Sequence, residues 1–259
     1  MRSSVVTLLA LALLLTAPAV ATAKGPLAGV NWEQRIKAAN KVAKSRGGKV
    51  SFSIRGGGVK RSRDGDDRYH AASVVKAMLL TAYLRENRHR ELDGNERELL
   101  KIMIRRSNND AATTVRDIVG NGALEKLADE AGFDCFATSS SSWGSTEICS
   151  RDMALYMKSI EGLLPKRHRD FAMRMLRTIV AKQRWGVAEV VGKEWTPYFK
   201  DGWYDDAPGD WRVHQIALLE GPGHAELGLA VLTAHQPSKK YGIETIRRVA
   251  SALVGPVVR

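Results

Sequence analysis

Apolar and polar residues alternate along the chain with two different periods. Residues 32–44 repeat their apolar positions every three to four residues, which predicts a helix, and residues 50–54 alternate, which predicts a strand. The polar, glycine-rich segment 56–67 is predicted to be a hairpin turn, and the largely apolar segment 74–84 a buried helix. A helix and a strand therefore open the fold.

The middle of the chain keeps the helical period, and the last third loses it. Helices are predicted over 96–105, 111–119, 123–131, 151–161 and 169–180. Ser150 and Gly132 supply a start and a stop signal. After Trp185, β-branched and aromatic runs between glycine and proline turns predict antiparallel strands over 189–191, 195–199, 213–220 and 227–235. An amphipathic segment, 243–253, is predicted to be the closing helix.

This order of elements predicts a fold of the α/β (α+β) class. Because strands lie toward both ends of the chain, the N- and C-terminal segments are expected to share one antiparallel sheet flanked by helices. A single domain is predicted over 24–259, with an α/β lobe from 24–72 and 184–259 and an all-helical lobe from 73–183. Its length is sufficient for a sizeable core.

The first residues have the pattern of a secretory signal peptide. Arg2 precedes an apolar run, residues 5–15, which is too short to span a bilayer, and small residues follow it up to Ala23. We therefore expect residues 1–23 to be the signal peptide, with cleavage after Ala23. The mature protein is expected to be secreted and to have no membrane span.

Composition adds a cysteine pair and a basic charge. In an exported chain Cys135 and Cys149 are expected to form a disulfide, and free buried thiols are the alternative. The net charge is +12, and loss of Arg2 with the signal peptide leaves +11. Such a charge favours anionic partners, among which an exported protein meets cell-wall polymers rather than nucleic acid, although a solvated basic surface is the simpler interpretation.

Three short motifs supply candidate chemistry. Residues 73–76 (Ser-Val-Val-Lys) open the apolar helix, so the hydroxyl and the amine share a helix face and a neutral amine can take the hydroxyl proton. Residues 107–109 (Ser-Asn-Asn) lie between two predicted helices, and residues 200–202 (Lys-Asp-Gly) lie at the edge of the strand predicted over 195–199. The first motif alone is also typical of a helix cap followed by a surface lysine. The order of all three is far more specific.

In that order the motifs resemble the Ser-x-x-Lys, Ser-Asp-Asn and Lys-Thr-Gly signature of class A β-lactamases and penicillin-binding proteins. The order of elements is similar over nearly the whole mature chain. The resemblance implies a β-lactamase-like fold and catalytic roles for Ser73 as nucleophile, Lys76 as its base, Ser107 as proton carrier to the leaving nitrogen and Lys200 as a cation beside Ser107.

The same resemblance implies substrate-binding roles for Asn109, Asp201, Gly202 and Trp203. Asn109 would hold a side-chain amide of the substrate, and Gly202 would let the substrate lie along the strand edge. The backbone N–H groups of Ser73 and Trp203 would form the oxyanion hole.

Three departures from the family pattern bear on function. Asn108 replaces the aspartate of the second motif, which is a mild change. Asp201 replaces Thr or Ser, so its anionic side chain would repel a β-lactam carboxylate, point away, or favour a neutral or cationic group. The glutamate that positions the hydrolytic water in class A enzymes has no evident counterpart, and Glu147 is a weak candidate. The short spacing between Ser73 and Ser107 implies a reduced helical lobe.

These observations lead to three hypotheses for function. The first is a secreted serine hydrolase that transfers acyl groups of β-lactams or related amides through Ser73. The second is a D,D-peptidase-like or other amide or ester hydrolase acting on cell-wall peptides, and the third is a non-catalytic binding module on the same fold. No cofactor is expected, and the six histidines lack the spacing of a metal site.

Overall fold

The computed structural model describes residues 25–258, so the predicted signal peptide lies outside the described residues. Its elements are α1 (Trp32–Lys44), β1 (Lys49–Gly56), β2 (Val59–Arg63), β3 (Tyr69–His70), a 3₁₀ turn (Ala72–Val75), α2 (Lys76–Glu86), α3 (Gly94–Arg105), α4 (Asn109–Ala131), β4 (Glu147–Ile148), α5 (Ser150–Leu163), α6 (Arg169–Arg177), α7 (Val187–Val190), β5 (Thr196–Ala207), β6 (Asp210–Gly221), β7 (Ala225–Gln236) and α8 (Lys239–Val254).

The five long strands form one antiparallel sheet in the order β2-β1-β7-β6-β5. The predicted sharing of a sheet by the two ends of the chain is therefore confirmed. Helices α1 and α8 pack on one face and α5 on the other. Glycines permit two of these close approaches, since a β-carbon on Gly228 would collide with α5 and one on Gly242 would collide with Val213.

The sheet places its edge strand β5 beside the start of α2. The 3₁₀ turn that precedes α2 contacts β5, and every residue from 76 to 84 of α2 is buried. A helix buried on all sides matches its apolar sequence. The segment with the first motif therefore lies in the core, against the strand with the third motif.

The two helices predicted over 111–119 and 123–131 are the two halves of α4. Gly120 has φ 70° and ψ 169°, so the helical path is broken there. Asn108 caps the first half through a 2.7 Å bond from the amide of Ala111, and Gly132, at φ 71°, ends the second half. The stop signal at Gly132 is thereby confirmed.

Two local predictions were wrong. The segment 56–67 is not only a turn, because Val59–Arg63 form β2, paired with β1. Residues 189–191 are not a strand: Val187–Val190 form the short helix α7, in which Val187 and Val190 are buried. A short apolar run has no period long enough to distinguish a strand from a buried helical turn.

Cys135 and Cys149 form the predicted disulfide. Cys149 immediately precedes α5, so the bond fastens the loop after α4 to the start of the helix that packs on the sheet. The division into two lobes stays a prediction, and α5, assigned to the helical lobe, packs on the sheet. Among the described helices, none is long and apolar enough to cross a membrane.

Candidate active site

Ser73 lies in the 3₁₀ turn at the start of α2 and lines a cavity of about 380 Å³. Its neighbour Ala72 has φ 47°, a left-handed conformation that costs energy for a residue with a β-carbon. Ser107, which lines the same cavity, is also left-handed, at φ 56°. The two serines of the first and second motifs are therefore presented to one cavity by strained backbone.

Lys76 is fully buried and is held by the second motif. Its Nζ donates to the carbonyl oxygen of Ser107 at 2.7 Å and to Oδ1 of Asn109 at 2.7 Å, and it lies 3.3 Å from Oγ of Ser107. Within residues 25–258, none of its hydrogen bonds goes to Ser73. Burial, followed by the charge of Lys200, lowers the pKa of Lys76 from 10.5 to about 7. Near neutral pH a large fraction of this amine is therefore uncharged.

Those acceptors fix where the lone pair of a neutral Lys76 points. The two carbonyl oxygens accept both N–H bonds, which leaves the lone pair for the hydroxyl of Ser107, since a hydroxyl can donate as well as accept. Lys200 Nζ lies 3.1 Å from the same Oγ and can only donate to it. Ser107 thus connects a neutral amine to a cation.

Lys200 and Asp201 form a fully buried ion pair, with Nζ 3.1 Å from Oδ1 of the carboxylate. Nζ also donates to the backbone oxygen of Asp201 at 2.9 Å. The other carboxylate oxygen, Oδ2, is buried and has no hydrogen-bond partner in the described part of the chain. Asp201 therefore offsets part of the charge of Lys200 within the site.

Gly202 lies directly against the start of α2. A β-carbon there would lie 2.7 Å from the backbone nitrogen of Ser73 and 2.9 Å from that of Val74. The next residue, Trp203, lines the cavity and packs edge-to-face on Trp185. Nζ of Lys239 lies 3.4 Å from the centroid of the Trp203 ring. The third motif thus supplies a close backbone approach and an aromatic wall.

Several residues that line the cavity were not predicted from the sequence, and Trp143 is one of them. Its ring centroid lies 4.6 Å from Nζ of Lys76, and its indole N–H donates to Thr113. The available signal was a tryptophan in a serine-rich loop closed by the two cysteines. Further unanticipated lining residues are Arg106, Ser142, Gly144, Ser145, Gln183 and Tyr204.

The lining of the cavity, as far as the described residues show, contains no carboxylate. Glu147 lies in β4 and forms an exposed ion pair with Arg68 at 2.7 Å. It is therefore directed to another cation and does not line the cavity beside Ser73. This position is consistent with the expectation that Glu147 is a weak candidate for the hydrolytic base.

Comparison with known proteins adds the family. The model of the β-lactamase enzyme family matches residues 95–256, which include the second and third motifs and make up more than half of the chain. The chain belongs to the β-lactamase enzyme family. The first motif, at Ser73, lies before the matched segment. No curated protein sequence matches the chain significantly.

Solved β-lactamases share the fold of this family member at low sequence identity. The β-lactamase from Sphaerobacter thermophilus is 20% identical, with a TM-score of 0.73 and coverage of 88% of this chain and 98% of that chain. The class A β-lactamase from Mycobacterium abscessus is 18% identical, with a TM-score of 0.70 and coverage of 85% and 98%. TLA-3 extended-spectrum β-lactamase is 13% identical, with a TM-score of 0.75 and coverage of 88% and 100%. The β-lactamase-like fold predicted from the motifs is thus confirmed.

Proposed function

We propose that this β-lactamase-family chain is a serine hydrolase that forms an acyl-enzyme on Ser73. The observation that carries the proposal is the amine of Lys76, which is fully buried and has a pKa lowered to about 7, beside the cavity that Ser73 and Ser107 both line. A nucleophilic serine needs a neutral base at the pH of the reaction. A surface lysine after a helix cap would have neither property.

The proton path is inferred from the positions of these groups. Lys76 turns its lone pair from Ser107 to Ser73 and takes the Ser73 proton as the Ser73 oxygen attacks the acyl carbon. Ser107 then gives its own proton to the leaving group and regains one from the protonated Lys76, 3.3 Å away. Lys200 donates to Ser107 at 3.1 Å and so favours the orientation in which the Ser107 proton faces Lys76. Breakdown of the tetrahedral intermediate expels the leaving group with that proton, and the amide N–H groups of Ser73 and Trp203 receive the oxyanion.

We infer that the acyl-enzyme is long-lived. Hydrolysis requires a base that activates water beside the ester, and no carboxylate is among the described residues that line the cavity. The ring of Trp143, 4.6 Å from Lys76, occupies space beside the amine with an apolar surface. Hydrolysis of the acyl-enzyme is therefore expected to be slower than its formation.

The ion pair of Lys200 and Asp201 favours the second candidate function, an amide or ester hydrolase that is poor with β-lactams. A substrate carboxylate that approached Nζ of Lys200 would meet a carboxylate oxygen already 3.1 Å from that nitrogen. Like charges at such a distance repel strongly in a buried site. The substrate at this position is then neutral or cationic, as a peptide amide is.

Secretion is part of the proposal. A disulfide persists in an oxidising compartment, and the chain begins with a signal-like segment. The substrate is a small β-lactam or a cell-wall peptide, reached outside the cytoplasm, and the basic charge of +11 that remains after loss of Arg2 favours association with an anionic wall.

The test compares acyl transfer in the wild type, in Ser73→Ala and in Ser145→Ala, a second serine of the cavity. Nitrocefin and a carboxylate-free p-nitrophenyl ester report release of the leaving group. We expect Ser73→Ala to abolish the burst of product and Ser145→Ala to retain it. A burst of unchanged size in Ser73→Ala would exclude Ser73 as nucleophile.

A further inference from the structure

A second cavity, of about 670 Å³, adjoins the active site and is strongly basic. Arg106 and Gln183 line the active site, and their chain neighbours Arg105 and Arg184 line this second cavity. Arg177 and Lys193 complete its charged lining. Within the described chain no carboxylate lines it, and we call the feature the basic groove.

Two of the four cations of the basic groove are positioned by backbone carbonyl oxygens, which do not neutralise them. Nε of Arg105 donates to the carbonyl oxygen of Thr178 at 2.7 Å, and Nη1 of Arg184 donates to that of Arg177 at 2.8 Å. Carbonyl oxygens orient a guanidinium but carry no net charge, so the remaining N–H groups keep their full positive field.

Several arginines elsewhere in the described chain, though not all of them, are paired with carboxylates. Arg151, for example, contacts the carboxylates of Asp66 and Asp134 at 2.7 and 2.8 Å. None of the four cations of the basic groove forms an ion pair with any residue in 25–258. The four cations therefore form one concave site whose positive charge is not balanced by any carboxylate of the described chain.

We propose that the basic groove binds a phosphate-bearing ligand. Guanidinium groups pair with phosphate oxygens through two parallel hydrogen bonds, and phosphate carries more charge than a single carboxylate. The apolar residues Ile179 and Pro197 in the lining offer a contact surface for the uncharged part of such a ligand. Binding here is independent of acyl transfer at Ser73, because none of the four cations belongs to the three motifs.

The test uses the full mature chain and sodium tripolyphosphate as the probe, with binding measured by titration calorimetry at fixed low ionic strength. The variant is the double substitution Arg177→Gln and Lys193→Gln, at two exposed positions whose side chains form no hydrogen bond or ion pair with residues 25–258. The control is Lys41→Gln with Lys60→Gln, which removes the same charge; Lys60 lies on β2, at the opposite edge of the sheet from β5.

We expect the groove variant to weaken tripolyphosphate binding at least about tenfold, and the control by less than about twofold. A wild type that does not bind the probe would overturn the proposal. An equal loss in both variants would also overturn it, because the binding would then follow net charge rather than the basic groove.

A second arm identifies the source of the phosphate. Vesicles of phosphatidylcholine with one third phosphatidylglycerol replace tripolyphosphate in a co-sedimentation assay. A loss of sedimentation in the groove variant alone supports the proposal with a lipid headgroup as a source. Calorimetric binding without sedimentation supports it with a soluble phosphate ester as the source.

Discussion

At the scale of single residues, Lys76 shows what a sequence can and cannot predict. Its spacing from Ser73 indicates a shared helix face, and the apolar neighbours indicate burial. The partners of its amine, the Ser107 carbonyl and Asn109, come from a turn 31 and 33 positions further along the chain. The lowered pKa arises from that folded environment, which residue spacing does not encode.

The pKa of Lys76 predicts the pH dependence of acylation. The neutral amine is the active form, so the rate constant for acylation should rise about tenfold per pH unit below 7 and level off above about 7. Stopped-flow measurement of the burst with a p-nitrophenyl ester, from pH 5.5 to 9, checks this. Lys76→Ala should remove the dependence together with most of the rate, whereas Lys60→Ala, exposed on β2, should keep both. A flat wild-type profile would mean that another group is the base.

Asp201 predicts a selectivity that one substitution should reverse. In Asp201→Asn the side chain keeps its shape but no longer repels an anion, so acylation by benzylpenicillin should rise at least about tenfold relative to acylation by a neutral ester. The substitution also deprives Lys200 of its buried partner, which lowers the rates with both substrates. The ratio of the two rates is unaffected by a loss that both share. An unchanged ratio would show that Asp201 does not select substrates.

At the scale of elements, the contact between β5 and the start of α2 brings the first and third motifs together. Long periodic segments made their elements predictable, and α1 has the predicted bounds, Trp32–Lys44. β5 pairs with β6 across the short turn at residues 208–209, but its packing against the start of α2 is a long-range contact, which no local pattern specifies. α7 was missed for a different reason: it is only four residues long, too short for a helical period, although Glu189 stabilises it locally by accepting from the amide of Gly186 at 2.9 Å.

The closeness of β5 to α2 predicts the effect of Gly202→Ala. The added β-carbon would lie 2.7 Å from the nitrogen of Ser73, so the strand must move away from the oxyanion site. Loss of one aligned donor costs about a hundredfold in rate, and we expect a fall of that size in the acylation rate constant. Gly162→Ala, in α5 with nothing within 4 Å of the new β-carbon, is the matched control and should retain activity. Wild-type acylation in Gly202→Ala would contradict the proposed oxyanion site.

At the scale of the whole molecule, the sheet shared by both ends and the disulfide were predictable, whereas the walls of the active site were not. Trp143, Arg106 and Gln183 reach the cavity from three separate segments. Each looks like an ordinary surface or packing residue in the sequence, because nothing in its neighbours marks a shared cavity. The three motifs could be found because their residue types and order are themselves unusual.

Buried His214 predicts how the stability of the fold depends on pH. Its Nδ1 accepts from the amide of Thr233 and its Nε2 donates to the carbonyl of His70, an arrangement that requires the neutral ring. Burial lowers the pKa of His214 from 6.5 to about 4. The folded state therefore binds this proton less readily than the unfolded state, and its contribution, present above pH 6.5, is lost as the pH falls toward 4.

Protonation of His214 should lower the free energy of unfolding by about 3 kcal/mol between pH 7.5 and pH 4. Urea unfolding at several pH values measures it, and His214→Gln, which cannot take up a proton, should show a shallower decline. His89→Gln, at an exposed position, should follow the wild type. Identical declines in all three proteins would show that His214 does not control acid stability.

The central claim, acylation of Ser73, is tested most directly by locating the adduct. The mature protein is incubated with benzylpenicillin and separately with a fluorophosphonate that lacks a carboxylate, and intact mass and peptide mapping follow. We predict one added group per chain on the peptide that contains Ser73, and none in Ser73→Ala. The group is a phosphonyl from the fluorophosphonate, with loss of fluoride, and a penicilloyl ester, formed more slowly, from benzylpenicillin. A group attached to any other residue, or an adduct that persists in Ser73→Ala, would contradict the account.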